Sequence, residues 1–170
     1  MERIPIGTRS RVKYKGPYNA QDWYRKLFDL FITYGYEVNE TMYREVRSPD
    51  GGSRNIFVNW TATKNYKADS YVRFQIDVNS NLINLKKKEV VKNGEKVKMD
   101  DGDNDCYYHG YVVLDPDDKW QKSSFLRYLR YLYDRFFYRS KIEFYKNQCY
   151  EELYTITNEI KAYFNLQRFM

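Results

Sequence analysis

The sequence predicts an α+β protein: a single curved antiparallel sheet of five to seven strands, one N-terminal helix, and a long C-terminal helix or helices packed on the sheet. Three observations carry this. Apolar residues recur at helical spacing over residues 20–34, the period switches to two over about 36–114, and helical spacing returns over about 118–164. A chain of 170 residues is long enough to bury one core, so one domain spanning 1–170 is expected, with residues 1–17 as a basic arm. Glycine and proline are sparse (8 and 4), while 19 Tyr, 10 Phe and 3 Trp supply much of the apolar mass, which marks a folded chain.

Asn19 is the expected cap of the first helix, with Asp22 three residues on, and Trp23, Leu27, Leu30, Phe31 and Tyr34 form its apolar face before Gly35. In the strand region, Ile56, Val58, Trp60 and Ala62 alternate with polar neighbours, as do Val72, Phe74, Ile76 and Val78. The turn formers at 49–52 pair residues 36–47 with 54–64 as a hairpin. Asn93-Gly94 suits a type I′ turn, which sets Lys92 opposite Glu95, Val90 opposite Val97 and Glu89 opposite Lys98. The acidic run at 99–105 reads as a wet turn before a last strand, Cys106 to Leu114. Residues 9–15 suit either a further strand or part of the arm.

Asp115, Ser123 or Ser124 can cap the C-terminal helix, whose stripe runs Ile142, Tyr145, Cys149, Leu153, Ile156, Ile160 and Tyr163. Ser140 and Glu143 fit a capping box, so this region is one helix or a pair restarting at Ser140. The element order resembles that of the helix-grip (START-like) fold, in which a curved sheet wraps a long C-terminal helix around an apolar cavity. The resemblance lies in order alone and implies no site residues.

The segment RYLRYLYDRFFYR (127–139) is almost entirely arginine and aromatic. Wound as a helix, Phe125, Leu129, Leu132 and Phe136 make one seam, flanked by Leu126, Tyr133 and Phe137, that should face the core. Arg127, Arg130, Tyr131, Asp134, Tyr138 and Lys141 then share the outer face. Charged helix faces are often only solvated, with Arg130–Asp134 a weak pair. Tyr and Arg also dominate protein hot spots and stack on unpaired bases, so Arg127, Arg130, Tyr131, Tyr138 and Lys141 are the candidate partner-binding residues.

Net charge is +6, unevenly spread: residues 100–118 carry seven carboxylates and no Lys or Arg. Arg9, Arg11, Lys13 and Lys15 on alternate positions, with Lys86, Lys87 and Lys88 beside the Asn93-Gly94 turn, are candidate polyanion contacts. Charged edges that resist aggregation would look the same. The Asp-rich run fails as a calcium loop, since Cys106 falls where glycine is required and Val112 where the bidentate Glu should be, so no metal is expected.

Catalytic signatures are missing: one histidine, His109, two cysteines without CxxC spacing, and none of GxSxG, P-loop, HExxH or GxGxxG. The expectation is therefore a non-catalytic, cofactor-free binding or assembly module contacting a protein or a second copy of itself. A carrier of a small apolar ligand in a helix-grip cavity and a single-stranded nucleic-acid binder are the alternatives. The N-terminus lacks an apolar core of signal-peptide length and no run reaches the ~18 residues of a membrane span. That predicts a cytoplasmic protein and makes the sequons at Asn39 and Asn59 chance matches.

Overall fold

The structure, a computed structural model, describes residues 1–7, 9–67, 69–92 and 95–168, with side chains described at all of these but 91, 92, 95, 134, 137 and 166–168. Six strands form one antiparallel sheet: β1 (Glu2–Pro5), β2 (Ser10–Tyr18), β3 (Glu37–Arg47), β4 (Arg54–Asn65), β5 (Val72–Lys92) and β6 (Glu95–Leu114). Three α-helices accompany it: α1 (Ala20–Thr33), α2 (Ser124–Tyr133) and α3 (Arg139–Arg168), with a 3₁₀ turn at Lys119–Gln121 and a π turn at Asp134–Tyr138. The α+β architecture and the sheet thus agree with the sequence reading. Residues 10–15 belong to a strand, β2, which starts one residue later than expected, and β1 adds a second short one within the expected arm.

Asn19 caps α1, its Oδ1 accepting from the Gln21 and Asp22 amides at 3.0 and 3.2 Å. Trp23, Leu27, Leu30 and Phe31 turn into the core, and Gly35, at φ +80°, lets the chain reverse into β3. The 49–52 turn joins β3 to β4 as expected, with Gly51 at φ +69°. The register Lys92↔Glu95, Val90↔Val97 and Glu89↔Lys98 is also as expected. The conformation of Asn93-Gly94 itself lies outside the described residues.

Strand order is β1-β6-β5-β4-β3, with β2 also on β6, below β1 along the same edge. The acidic segment corrects one expectation: residues 100–105 are not a turn but the middle of β6, paired with β2 and β5 at once. The basic residues of β2 lie in register with the carboxylates, Lys13 opposite Asp105 and Lys15 opposite Asp103. Arg11 grips Asp105 with two hydrogen bonds of 2.7 and 2.6 Å. Charge patterning thus specifies how β2 lies on β6.

Ile56, Val58, Trp60 and Ala62 of β4, Val72 to Val78 of β5, Tyr108 and Val112 of β6 and Tyr14 and Tyr18 of β2 share one buried face. Both α1 and α3 pack on it. From α3 come Tyr145, Cys149, Leu153, Ile156, Ile160 and Phe164. Phe164, rather than the expected Tyr163, makes the deepest contact at that end, stacked on Tyr14 with ring centroids 4.6 Å apart and tilted against Trp23 at 4.4 Å. Tyr163 is only half-buried.

β5 and β6 are continuous because a bulge between Ile83 and Lys86 absorbs the bend, with Asn84 at φ +58°. Gly102 faces this bulge. A Cβ there would lie 2.8 Å from the Ile83 carbonyl oxygen and 3.1 Å from that of Asn84, both backbone atoms that a rotamer change cannot move. Gly102→Ala should therefore lower stability by about 1–3 kcal/mol, the usual cost of overpacking, read as a shift in the urea midpoint with an unchanged m-value. A second test concerns pH. The Arg11 guanidinium holds the Asp105 carboxyl below its ordinary value. A depressed carboxylate contributes stability that is complete above its unfolded pKa and is lost as pH falls through the folded one. Asp105→Asn should flatten the acid limb of the stability curve below about pH 4 and leave the slope at neutral pH unchanged.

Candidate functional site

The helical segment 124–168 is unbroken: α2 passes through the π turn directly into α3, with no restart at Ser140. Ser123 caps it, its Oγ accepting from the Leu126 amide at 3.2 Å, while Asp115 accepts from the Lys119 and Trp120 amides of the 3₁₀ turn.

The rotational setting of α2 departs from the sequence expectation at Arg130 and Tyr138, both expected outward and both buried. Arg130 is buried, 8% exposed, with Nε donating to the Tyr71 hydroxyl at 2.9 Å, Nη2 to Glu2 at 3.1 Å and Nη1 standing 3.5 Å from Asp115. Tyr138 is also buried, and its hydroxyl donates to Asp69, which further accepts from Tyr145 at 3.2 Å. Burial alone would raise the Asp69 pKa; the bonds from Tyr138, the Tyr71 amide and Tyr145 outweigh it and hold the carboxyl below its ordinary value. Burial, then the bond to Asp69, drives the Tyr138 phenol upward, so it stays a donor.

The seam expected to face inward therefore faces out. Phe125 is 71% exposed and Phe136 69%, with Leu129, Tyr128 and Tyr133 also exposed; Leu126 and Leu132 are half-buried. The side chains of Phe137 and Asp134, and so the Arg130–Asp134 pair, lie outside the described residues. A π turn adds one residue to a helical turn, which rotates the helix beyond it by about 100° relative to the helix before it. The stripe of α3 can face the sheet while the stripe of α2 cannot.

Of the five expected partner-binding residues, Arg127, Tyr131 and Lys141 are exposed and Arg130 and Tyr138 are structural. Arg127 bonds the Ser124 hydroxyl at 3.2 Å, Tyr131 accepts from Arg135 at 2.5 Å, and the Lys141 ammonium stands 5.4 Å from the centre of the Tyr138 ring. The outward face continues onto α3 through exposed Phe144, Tyr150 and Tyr154.

The expected polyanion contacts are mostly engaged within the sheet. Arg11 and Lys15 are tied to Asp105 and Asp103, Lys87 to Asp100 at 3.0 Å and Lys88 to Asp101 at 3.1 Å, while Arg9 stacks over Tyr107 at 4.3 Å. Lys13 and Lys86 are exposed.

A cavity of about 470 Å³ lies between α1 and β4–β5. This is not the helix-grip position, which would be along the C-terminal helix. Ile56, Val58, Trp60, Val78 and Leu82 form its floor, and Trp23, Tyr24 and Leu27 of α1 its roof. Arg54 and Ser80 break the apolar lining from the sheet and Gln21 and Arg25 from the helix, and among the described residues no carboxylate lines it. Arg54 reaches Asp100 at 3.2 Å, a buried carboxylate that also accepts the Ala20 amide at 3.4 Å. The sequence reading missed these residues, although Arg54 and Ser80 interrupt two otherwise apolar inward series.

His109 sits on the opposite, outer face of the sheet in register with Asp77; burial, then nearby Arg9, lowers its pKa. Burial drives both thiols, Cys106 and Cys149, up to about 12, so neither is a ready nucleophile near neutral pH. Among the described residues no group of three His, Cys, Asp or Glu could hold a metal ion, and no helix is long and apolar enough to cross a membrane.

Arg130 and Arg127, one turn apart on α2, should respond differently to truncation. Arg130→Ala should cost about 3 kcal/mol, because it removes the guanidinium beside the buried Asp115 carboxylate, whereas Arg127→Ala should change stability by less than about 0.5 kcal/mol. Chemical denaturation of the two variants checks both.

Comparison of this chain with protein-family models, curated proteins and solved structures finds no match.

Proposed function

We propose that this chain is a non-catalytic assembly module that pairs with a second copy of itself through the outward face of the α2–α3 rod. The exposed apolar stripe of α2, with Phe125 and Phe136 each about 70% exposed, carries the proposal. A contiguous exposed aromatic surface is uncommon on a monomer and marks an interaction site. Tyr and Arg beside it supply contact area of the kind that dominates protein interfaces.

A two-fold partner fits the charges along the rod. Arg135 and Glu143 lie equally far on either side of Arg139, and so do Tyr128 and Tyr150, and Arg127 and Glu151. Two rods crossing antiparallel near Arg139 would bring Arg135 of each copy towards Glu143 of the other, where its own Lys146, 3.0 Å away, competes for the carboxylate. Nucleic acid is the weaker occupant, because Arg11, Lys15, Lys87 and Lys88 already hold carboxylates. The proposed setting is the cytoplasm, where free thiols such as Cys106 and Cys149 persist.

Size-exclusion chromatography with light scattering should give twice the 20.8 kDa chain mass at protein concentrations of about 50 μM, and the Phe125→Glu/Phe136→Glu variant should run as a monomer. Glu143→Arg should weaken the dimer and Arg135→Glu/Glu143→Arg should restore it. A wild-type chain that stays monomeric throughout sinks the proposal.

A further inference from the structure

The cavity beneath α1 stands apart from the α2 surface and from the proposed pairing. Its volume, about 470 Å³, lies within the ~300–1,000 Å³ typical of small-molecule sites. Its lining is divided in character. Val58, Trp60, Val78 and Leu82 offer an apolar bed, while Arg54 stands near the first turn of α1, linked to the Ala20 amide through Asp100.

Two features mark the polar end as suited to an acceptor. Arg54 spends one of its five N–H donors on Asp100 at 3.2 Å and stands 3.7 Å from Glu45, which leaves donors for a further group. Arg25 adds a second positive charge to the lining, while the two carboxylates within 4 Å of Arg54, Asp100 and Glu45, are not among the lining residues.

We infer that this cavity binds a small amphipathic carboxylate, its hydrocarbon body over Val58, Val78 and Leu82 and its carboxylate at Arg54. The apolar bed would accept any hydrocarbon chain; the arginine selects the anion, through charge-assisted hydrogen bonds stronger than neutral ones.

Titration calorimetry with decanoate and with decanol tests it, with the fluorescence of the wall residues Trp23 and Trp60 as a second readout. Decanoate should bind at least tenfold more tightly than decanol. Val58→Trp, which fills the cavity, should abolish binding of both. Arg54→Met should remove the preference while leaving decanol binding within about twofold of wild type. Should Arg54→Met unfold through the loss of its partner to Asp100, the decanoate to decanol ratio in Arg25→Ala, expected to fall at least threefold, serves instead. Equal affinities for decanoate and decanol in the wild-type chain would overturn the carboxylate assignment, and no binding of either would overturn the site.

Discussion

A guanidinium withdrawn from water is tolerated only where carboxylates and hydroxyls replace its hydration, and Arg130 is met by Glu2 from β1, Asp115 from the end of β6 and Tyr71 from the start of β5. These three partners come from separate parts of the chain, so satisfying one charge fixes where α2 sits and which way it is turned. Tyr138, bonded to Asp69, repeats the constraint two turns later. With these two side chains held inward, the helix has no choice about its aromatic stripe. Phe125 and Phe136 are exposed because two buried polar anchors, Arg130 and Tyr138, set the rotation of the helix, and stranding a paired buried charge alone costs about 3–5 kcal/mol.

The same logic of compensated charge organises the sheet. β6 carries Asp100, Asp101, Asp103 and Asp105 through its middle, and it is stable as a strand because β2 on one side and β5 on the other bring Arg11, Lys15, Lys87 and Lys88 alongside. Alternation divides the four carboxylates. Asp100 turns to the helix-covered face, where Arg54, Lys87 and the first amide of α1 meet it, while the other three face outward. Asp100 thereby ties the start of α1 to the sheet beside the cavity.

How far the fold could be read from residues depends on whether the signal is local. Period-two alternation in Ile56–Ala62 and Val72–Val78, the Asn19 cap and the 49–52 turn each lie within a few residues, and each element formed where they place it. The phase of α2 is not local. Amphipathic spacing identifies a stripe but not what it faces, and two of the three partners of Arg130, Glu2 and Tyr71, lie 128 and 59 residues away in the chain. The π turn, which has no distinctive residue pattern in DRFFY, then uncoupled the α2 stripe from that of α3. The Asp run was misread for a related reason, since aspartate is a poor strand former until cations on neighbouring strands neutralise it. The candidate partner surface was legible as a segment and not as a face.

Along the cavity lining the chain departs from what packing would choose. Val72, Phe74, Ile76, Val78 and Leu82 all turn inward, and Ser80 stands among them, bonded at 3.0 Å to the buried thiol of Cys106. Beyond it, outside the cavity lining, Asn104, Tyr108 and Tyr18 are buried as well, Tyr18 interacting with Asn104 and Tyr108 with Cys106. Burial drives the Tyr18 and Tyr108 phenols well above their ordinary pKa, so both remain neutral. An aliphatic residue at any of these positions would avoid the cost of desolvating a polar group. A core selected for stability alone has no use for such a row. Beside a cavity wide enough for a small molecule, a neutral polar row gives the interior a polarity gradient, apolar under α1 and polar where the helix begins. Occupancy of that cavity would then stabilise the folded chain in proportion to how well the occupant matches the gradient, which couples the protein's stability to the chemistry of what it holds.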